Sequence, residues 1–189
     1  DISIFGVDAL REPLEARRIT AWLPDEPMLY DKLTPLEYLA FIAGLWGVER
    51  RVAEKRAREL IDVLDLGAQA HVRCEGFSRG MKQKVALAGA LVHDPRLIML
   101  DEPLTGIDAA IARQVKELLG ERVRAGATIV LTTHILEVAE RMADRIGIVA
   151  GGSLIAEGTF AELKVAAGRH DSTLEDVFLS LTAKSAEAA

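Results

Sequence analysis

One stretch, Phe77 to Asp108, constrains the fold of this chain more than any other: FSRGMKQKVALAGALVHDPRLIMLDEPLTGID. A serine-led loop opens a helix, an apolar strand follows, and the strand runs into two carboxylates and a second tight loop. The strand is Leu97-Ile98-Met99-Leu100, and it delivers Asp101 and Glu102 at its C-terminal end. In an open parallel sheet, ligands bind at that end. Paired acids there suit one carboxylate holding a hydrated metal ion and another activating a water. The same residues also spell an Asp-Glu-Pro turn that merely stops a buried strand. Alone, the strand does not choose between the two.

Its neighbours do. Phe77-Ser78-Arg79-Gly80-Met81 resembles the signature loop, usually LSGGQ, of the ABC ATPase family. Leu97 to Glu102 resembles the Walker B strand of that family with its catalytic glutamate, and Leu104 to Asp108 resembles its D-loop. Thr132-Thr133-His134 follows the next apolar strand, where the family carries its switch histidine. The likeness covers nearly the whole chain and is strongest to subunits that energise two-component drug, polysaccharide or sodium exporters. It implies a P-loop NTPase-like α/β core with an inserted helical subdomain, N-terminally incomplete. It also implies ATP and Mg²⁺ as ligands. Asp101 would hold the metal through water, Glu102 would polarise the attacking water, and His134 would steady the γ-phosphate. Ser78, Arg79, Gly80 and Met81 would meet ATP held by an opposite subunit, with Asp108 in the D-loop between them.

Three positions depart from the family pattern. Arg79 replaces the usual first glycine, Met81 replaces the usual glutamine, and Asp25 stands where a glutamine normally senses metal and γ-phosphate. An acid there is electrostatically less comfortable beside a phosphate than an amide. Local roles coexist with the functional ones: Ser78 and Asp108 are both good N-caps for the helices that follow them. Free N–H groups at such a helix start also favour anions.

Composition narrows the remaining choices. With 189 residues, half of them apolar and 28% charged, the chain can bury one good core, so a single domain over 1–189 is expected. A net charge of −6 leaves no basic footprint for nucleic acid. The single cysteine, Cys74, excludes an internal disulfide and a multi-cysteine metal site. No apolar run reaches the roughly 18 residues of a membrane-spanning helix, and no basic region precedes an apolar stretch at the start. The expectation is a cytoplasmic protein, peripheral on the inner face of the membrane through a permease partner, and paired with a second nucleotide-binding domain.

The rest of the chain fits an α/β reading. Ile2–Phe5 and Ile19–Leu23 read as strands punctuated by Gly6 and Pro13, and Leu23-Pro24-Asp25-Glu26-Pro27 as an extended link. Thr34-Pro35-Leu36-Glu37 is a capping box that opens a helix. A second helix follows from Arg51 to Leu64, with Gly67 placed as its C-terminal cap. With no strand between these helices, a helical subdomain spans about 34–93 and, by resemblance, touches the membrane subunit. Trp46 reads as a core aromatic at a helix end. Gly151-Gly152 marks a hairpin, and Thr159–Glu162 and Ser172–Glu175 read as capping boxes. The tail from Ala183 is expected to fray.

No GxxxxGK[ST] phosphate cradle occurs in these residues. In the family, that loop precedes the region where this chain starts, and the strand and helix around it occupy the centre of the fold. Apolar core surface is therefore expected to be exposed. Two explanations stay open: a longer natural protein, or a truncated, non-catalytic ABC-like module that no longer binds ATP by itself.

Overall fold

Short elements open the chain in the computed structural model, which describes residues 1–169 and 172–187. Strands β1 (Ser3–Ile4) and β2 (Val7–Asp8) form a small antiparallel hairpin. Its turn is Phe5-Gly6, both at positive φ (50° and 85°), so the strand expected over Ile2–Phe5 breaks there. Pro13 does more than punctuate: it starts helix α1 (Pro13–Arg18), where its fixed φ suits the first turn. Only Ala16 of that helix is buried, so no apolar period announces it. Strand β3 (Thr20–Leu23) follows.

Helix α2 (Pro35–Leu45) begins at the expected box. Glu37 N–H donates to Thr34 Oγ1, and Thr34 N–H donates to Glu37 Oε2. Helix α3 (Arg50–Val63) buries Ala53, Ala57, Leu60 and Ile61 along one stripe. It does not end at Gly67. Asp65 takes the left-handed position (φ 50°), and Gly67 instead opens a single 3₁₀ turn. Aspartate tolerates that region better than most residues, so the cap arrives two residues before the glycine. Helix α4 (Arg79–Leu91) is the most buried of the chain's described helices: Val85, Leu87 and Leu91 are all fully enclosed. Each such side chain stabilises the fold by about 1.5–3 kcal/mol. Helices α2, α3 and α4 pack on one another with no strand between Thr34 and His93.

Strand β4 (Leu97–Asp101) lies between β3 and β5 (Thr128–Thr132) in a three-stranded parallel sheet, with helix α5 (Ala109–Arg124) as the crossover. Alternation sorts its two faces. Ala21, Leu23, Ile98 and Leu100 are buried, whereas Trp22, Met99 and Val130 pair in one row and are 65%, 37% and 49% exposed. Parallel sheets ordinarily cover both faces. The apolar surface expected to be bare is this row. These elements belong to a first unit, Asp1–Thr132.

The second unit, Thr133–Ala189, has its own core. Helix α6 (Leu136–Met142) precedes β6 (Ile146–Ala150) and β7 (Ser153–Gly158), an antiparallel hairpin turned by Gly151-Gly152. Helix α7 (Phe160–Ala167) starts at the Thr159–Glu162 box and stops at left-handed Gly168. Helix α8 (Leu174–Glu187) is capped one residue later than expected. Thr173 N–H donates to Asp176 Oδ2 (3.1 Å) and Asp176 N–H to Thr173 Oγ1 (3.3 Å), while the Ser172 hydroxyl donates to Arg169 O. Glu140 on α6 accepts the Leu174 N–H at 2.8 Å, which fixes that start. The tail expected to fray from Ala183 is helical to Glu187; residues 188–189 lie outside the described residues, as does His170.

Candidate functional site

Strand β4 ends at Asp101, and the chain turns at once. Glu102 sits at φ 46°, a left-handed conformation that non-glycine residues adopt at a cost of about 1–2 kcal/mol. Its backbone is pinned to hold it there. Glu102 N–H donates to Thr132 O (3.0 Å), and Thr105 N–H donates to Glu102 O (3.1 Å). The Gln83 side-chain amide adds a long contact to the same carbonyl (3.5 Å). Strained backbone of this kind persists only where its surroundings over-determine it, and it clusters at functional sites. The Thr132 hydroxyl donates to Asp101 Oδ1 from the neighbouring strand. Asp101 and Glu102 are thus half-buried and adjacent at the C-terminal edge of the sheet.

The serine-led loop lies in the same unit. Ser78 caps α4 by accepting the Met81 N–H (3.3 Å). Gly80 is a glycine because the D-loop-like turn leaves no room for anything larger. A Cβ at position 80 would lie 2.2 Å from the Gly106 carbonyl oxygen. Asp108 caps α5 by accepting the Ile111 N–H (3.1 Å), a bond that holds its carboxyl below the usual range; Lys84 on α4 stands 4.0 Å away. Arg79 reaches back to Asp25 at 2.7 Å. Of the residues singled out from the sequence, Asp25 meets Arg79, Gly80 lies against Gly106 in the loop that ends at Asp108, and Glu102, next to Asp101, is reached at its backbone by Gln83 of α4. His134 follows β5 by two residues and is the second residue of the second unit.

Gln83 was not legible as a site residue. It is 1% exposed on α4, the one buried polar side chain among the described residues, and its Oε1 has no protein partner. A glutamine within an otherwise apolar stripe was the available signal. His93 is also more than a loop residue: its ring stacks on Trp46 (4.5 Å, 15°), and burial pushes its pKa down against the pull of Asp94. Trp46, expected in the core, is 37% exposed at the C-cap of α2, with that histidine on one face.

No group of three or more histidine, cysteine or acidic side chains converges on one point among the described residues. One or two carboxylates are what magnesium uses when nucleotide phosphates complete its shell, and Asp101 with Glu102 fits that donor set. No helix among the described residues is long and apolar enough to cross a membrane.

Comparison with known proteins identifies the family of the chain. A family model described as ABC transporter matches residues 2–105. The ABC-type transporter ATP-binding protein EcsA of Bacillus subtilis is 33% identical over 98% of this chain and 75% of its own length. The daunorubicin/doxorubicin resistance ATP-binding protein DrrA of Streptomyces peucetius is 37% identical over 87% of this chain. The chain spans half of DrrA and about half of the linearmycin resistance ATP-binding protein LnrL of Bacillus subtilis. A solved ATP-binding subunit of an ABC transporter superposes with a TM-score of 0.90 at 33% identity, covering 95% of this chain and 75% of that one. The α/β core is that of an ABC ATP-binding subunit, and this chain belongs to the ABC transporter ATP-binding family.

Proposed function

We propose that the chain is part of the ATP-hydrolysing subunit of an ABC exporter, working as a head-to-tail pair against a membrane-spanning permease on the cytoplasmic face. The observation that carries this reading is the pinned Asp101-Glu102 turn, with the Ser78–Met81 loop packed against Gly106 in the same unit. In it, Asp101, whose carboxylate accepts the Thr132 hydroxyl, would hold a magnesium ion, which when bound would supply charge neutralisation to the nucleotide phosphates. Glu102 accepts hydrogen bonds from the attacking water, and its fixed backbone removes the cost of orienting it. Ser78 and the N–H groups of the α4 start address the γ-phosphate of the nucleotide on the opposite subunit. His134 would steady the γ-phosphate, as the family resemblance implies. Helices α2 and α3, within the 34–93 lobe, meet the permease, and 1–189 act as one ATPase domain. The drug-resistance names among the relatives support export rather than uptake.

A specific observation favours a second reading, a non-catalytic module: an acid, Asp25, stands where the family carries a glutamine, and it is paired with Arg79. Mg-ATP turnover by the full-length natural protein separates the two, and Glu102→Gln then tests the base. On the ATPase reading, turnover falls by at least about a hundredfold while ATP binding persists. Undiminished turnover means that Glu102 is not the base.

A further inference from the structure

Two of the three departures from the family pattern touch each other. Asp25, the acid in place of a glutamine, pairs with Arg79, the cation in place of a glycine, across 54 residues at 2.7 Å. The contact is not isolated. One turn along α4, Lys82 holds Asp31 through both carboxylate oxygens (3.0 and 3.1 Å). Lys32 pairs with Glu75 just before the loop, and Cys74 N–H donates to Leu33 O (3.0 Å). Residues 25–33 therefore form a strap along the start of α4, with rungs at Asp25, Asp31, Lys32 and Leu33.

Exposed ion pairs taken singly contribute little, and a ladder of several on one segment contributes more. The outermost rung is the exchangeable one. Both partners are about half exposed, and Arg79 is the first residue of a helix whose N-terminal field already favours anions. A guanidinium binds phosphate bidentately and more strongly than one exposed carboxylate.

We propose that Asp25 is a latch on the signature-like loop. It holds Arg79 while no phosphate is present and yields it when a triphosphate reaches the loop, so the strap loosens from α4 as the loop engages. Asp25 is then a positioning residue that acts through Arg79, and the acid in a glutamine's place is neutralised within the chain. The inference rests on the proposed function for the origin of the phosphate, not for the latch itself.

The test is amide exchange of residues 25–33 in the full-length natural protein. It compares the unmodified form, Asp25→Asn, Arg79→Gln and the exchanged pair Asp25→Arg with Arg79→Asp, each without ligand, with inorganic tripolyphosphate and with Mg-ATP. Without ligand, either single change speeds strap exchange several-fold, and the exchanged pair restores slow exchange. Tripolyphosphate or Mg-ATP speeds it in the unmodified form alone. Asp25→Asn lowers the ligand concentration needed for half-maximal binding, and Arg79→Gln raises it. Strap exchange that is unaltered by either single change, or not restored in the exchanged pair, overturns the latch. So do single changes that move ligand demand in the same direction. Failure of Mg-ATP to bind any form, while tripolyphosphate still loosens the strap, overturns the ATPase reading and leaves the latch supported.

Discussion

A single methyl group at position 80 would have to occupy space 2.2 Å from the Gly106 oxygen, a backbone atom with nowhere to go. Gly80→Ala is therefore expected to cost about 1–3 kcal/mol, as overpacking does, whether or not nucleotide is present. Urea unfolding measures it; an unchanged midpoint would mean that the two loops are not in contact. Ser78 has two duties that one pair of variants separates. Ser78→Ala loses the cap and about 1 kcal/mol, whereas Ser78→Asp keeps it. The aspartate also sets a negative charge where a phosphate is to arrive, so it should retain stability and lose nucleotide-dependent pairing. Paired unfolding and light-scattering curves report both; pairing that survives Ser78→Asp removes the loop from the phosphate site. At this scale the sequence was legible where chemistry is local, as at the Ser78 and Asp108 caps. It was not legible for Asp25 and Arg79, because nothing in local spacing reports a partner 54 residues away.

Helix starts carry most of the titration behaviour of the elements. Glu37, Asp108, Glu162 and Asp176 all sit below their ordinary pKa, each chiefly because its carboxylate accepts a backbone N–H at a helix start. Unfolded, they take up protons in the usual carboxylate range, so their contribution is complete above that range and lost as pH falls through the lower folded values. His93 adds an earlier step. Burial depresses its folded pKa, so the unfolded chain protonates first and stability declines as pH drops below about 6.5. The urea midpoint should thus fall in two stages, and His93→Phe, which preserves the stack on Trp46, should flatten the first. A one-stage profile unchanged by His93→Phe would contradict this account. Elements with a cap and a clear apolar stripe, such as α2 and α3, were legible with near-correct ends. Helix α1 was not, because six residues with one buried side chain show no period. The residue that caps α3 and the one that caps α8 were misplaced because two suitable residues stood within reach at each, and at α8 the Glu140 contact to Leu174 N–H chose between them.

On the scale of the whole molecule, the sequence conveyed the α/β class and the parallel sheet through the apolar runs at β3, β4 and β5. That only one face of the sheet is packed became visible in the row Trp22, Met99 and Val130, which alternation alone reads as an ordinary strand face. On the proposed function, the site is shared between two copies. The Ser78 loop is backed by Gly106 of its own chain, and its open side is proposed to face the nucleotide of a second copy. That composite site is the central claim, and mixing two inactive variants tests it. Ser78→Asp and Glu102→Gln forms of the full-length natural protein should each fail to turn over Mg-ATP. In a mixed symmetric pair, one of the two sites then combines an intact Glu102 with an intact Ser78, so an equimolar mixture should regain up to about a quarter of the unmodified rate. A mixture as inactive as its components would contradict a site shared between subunits.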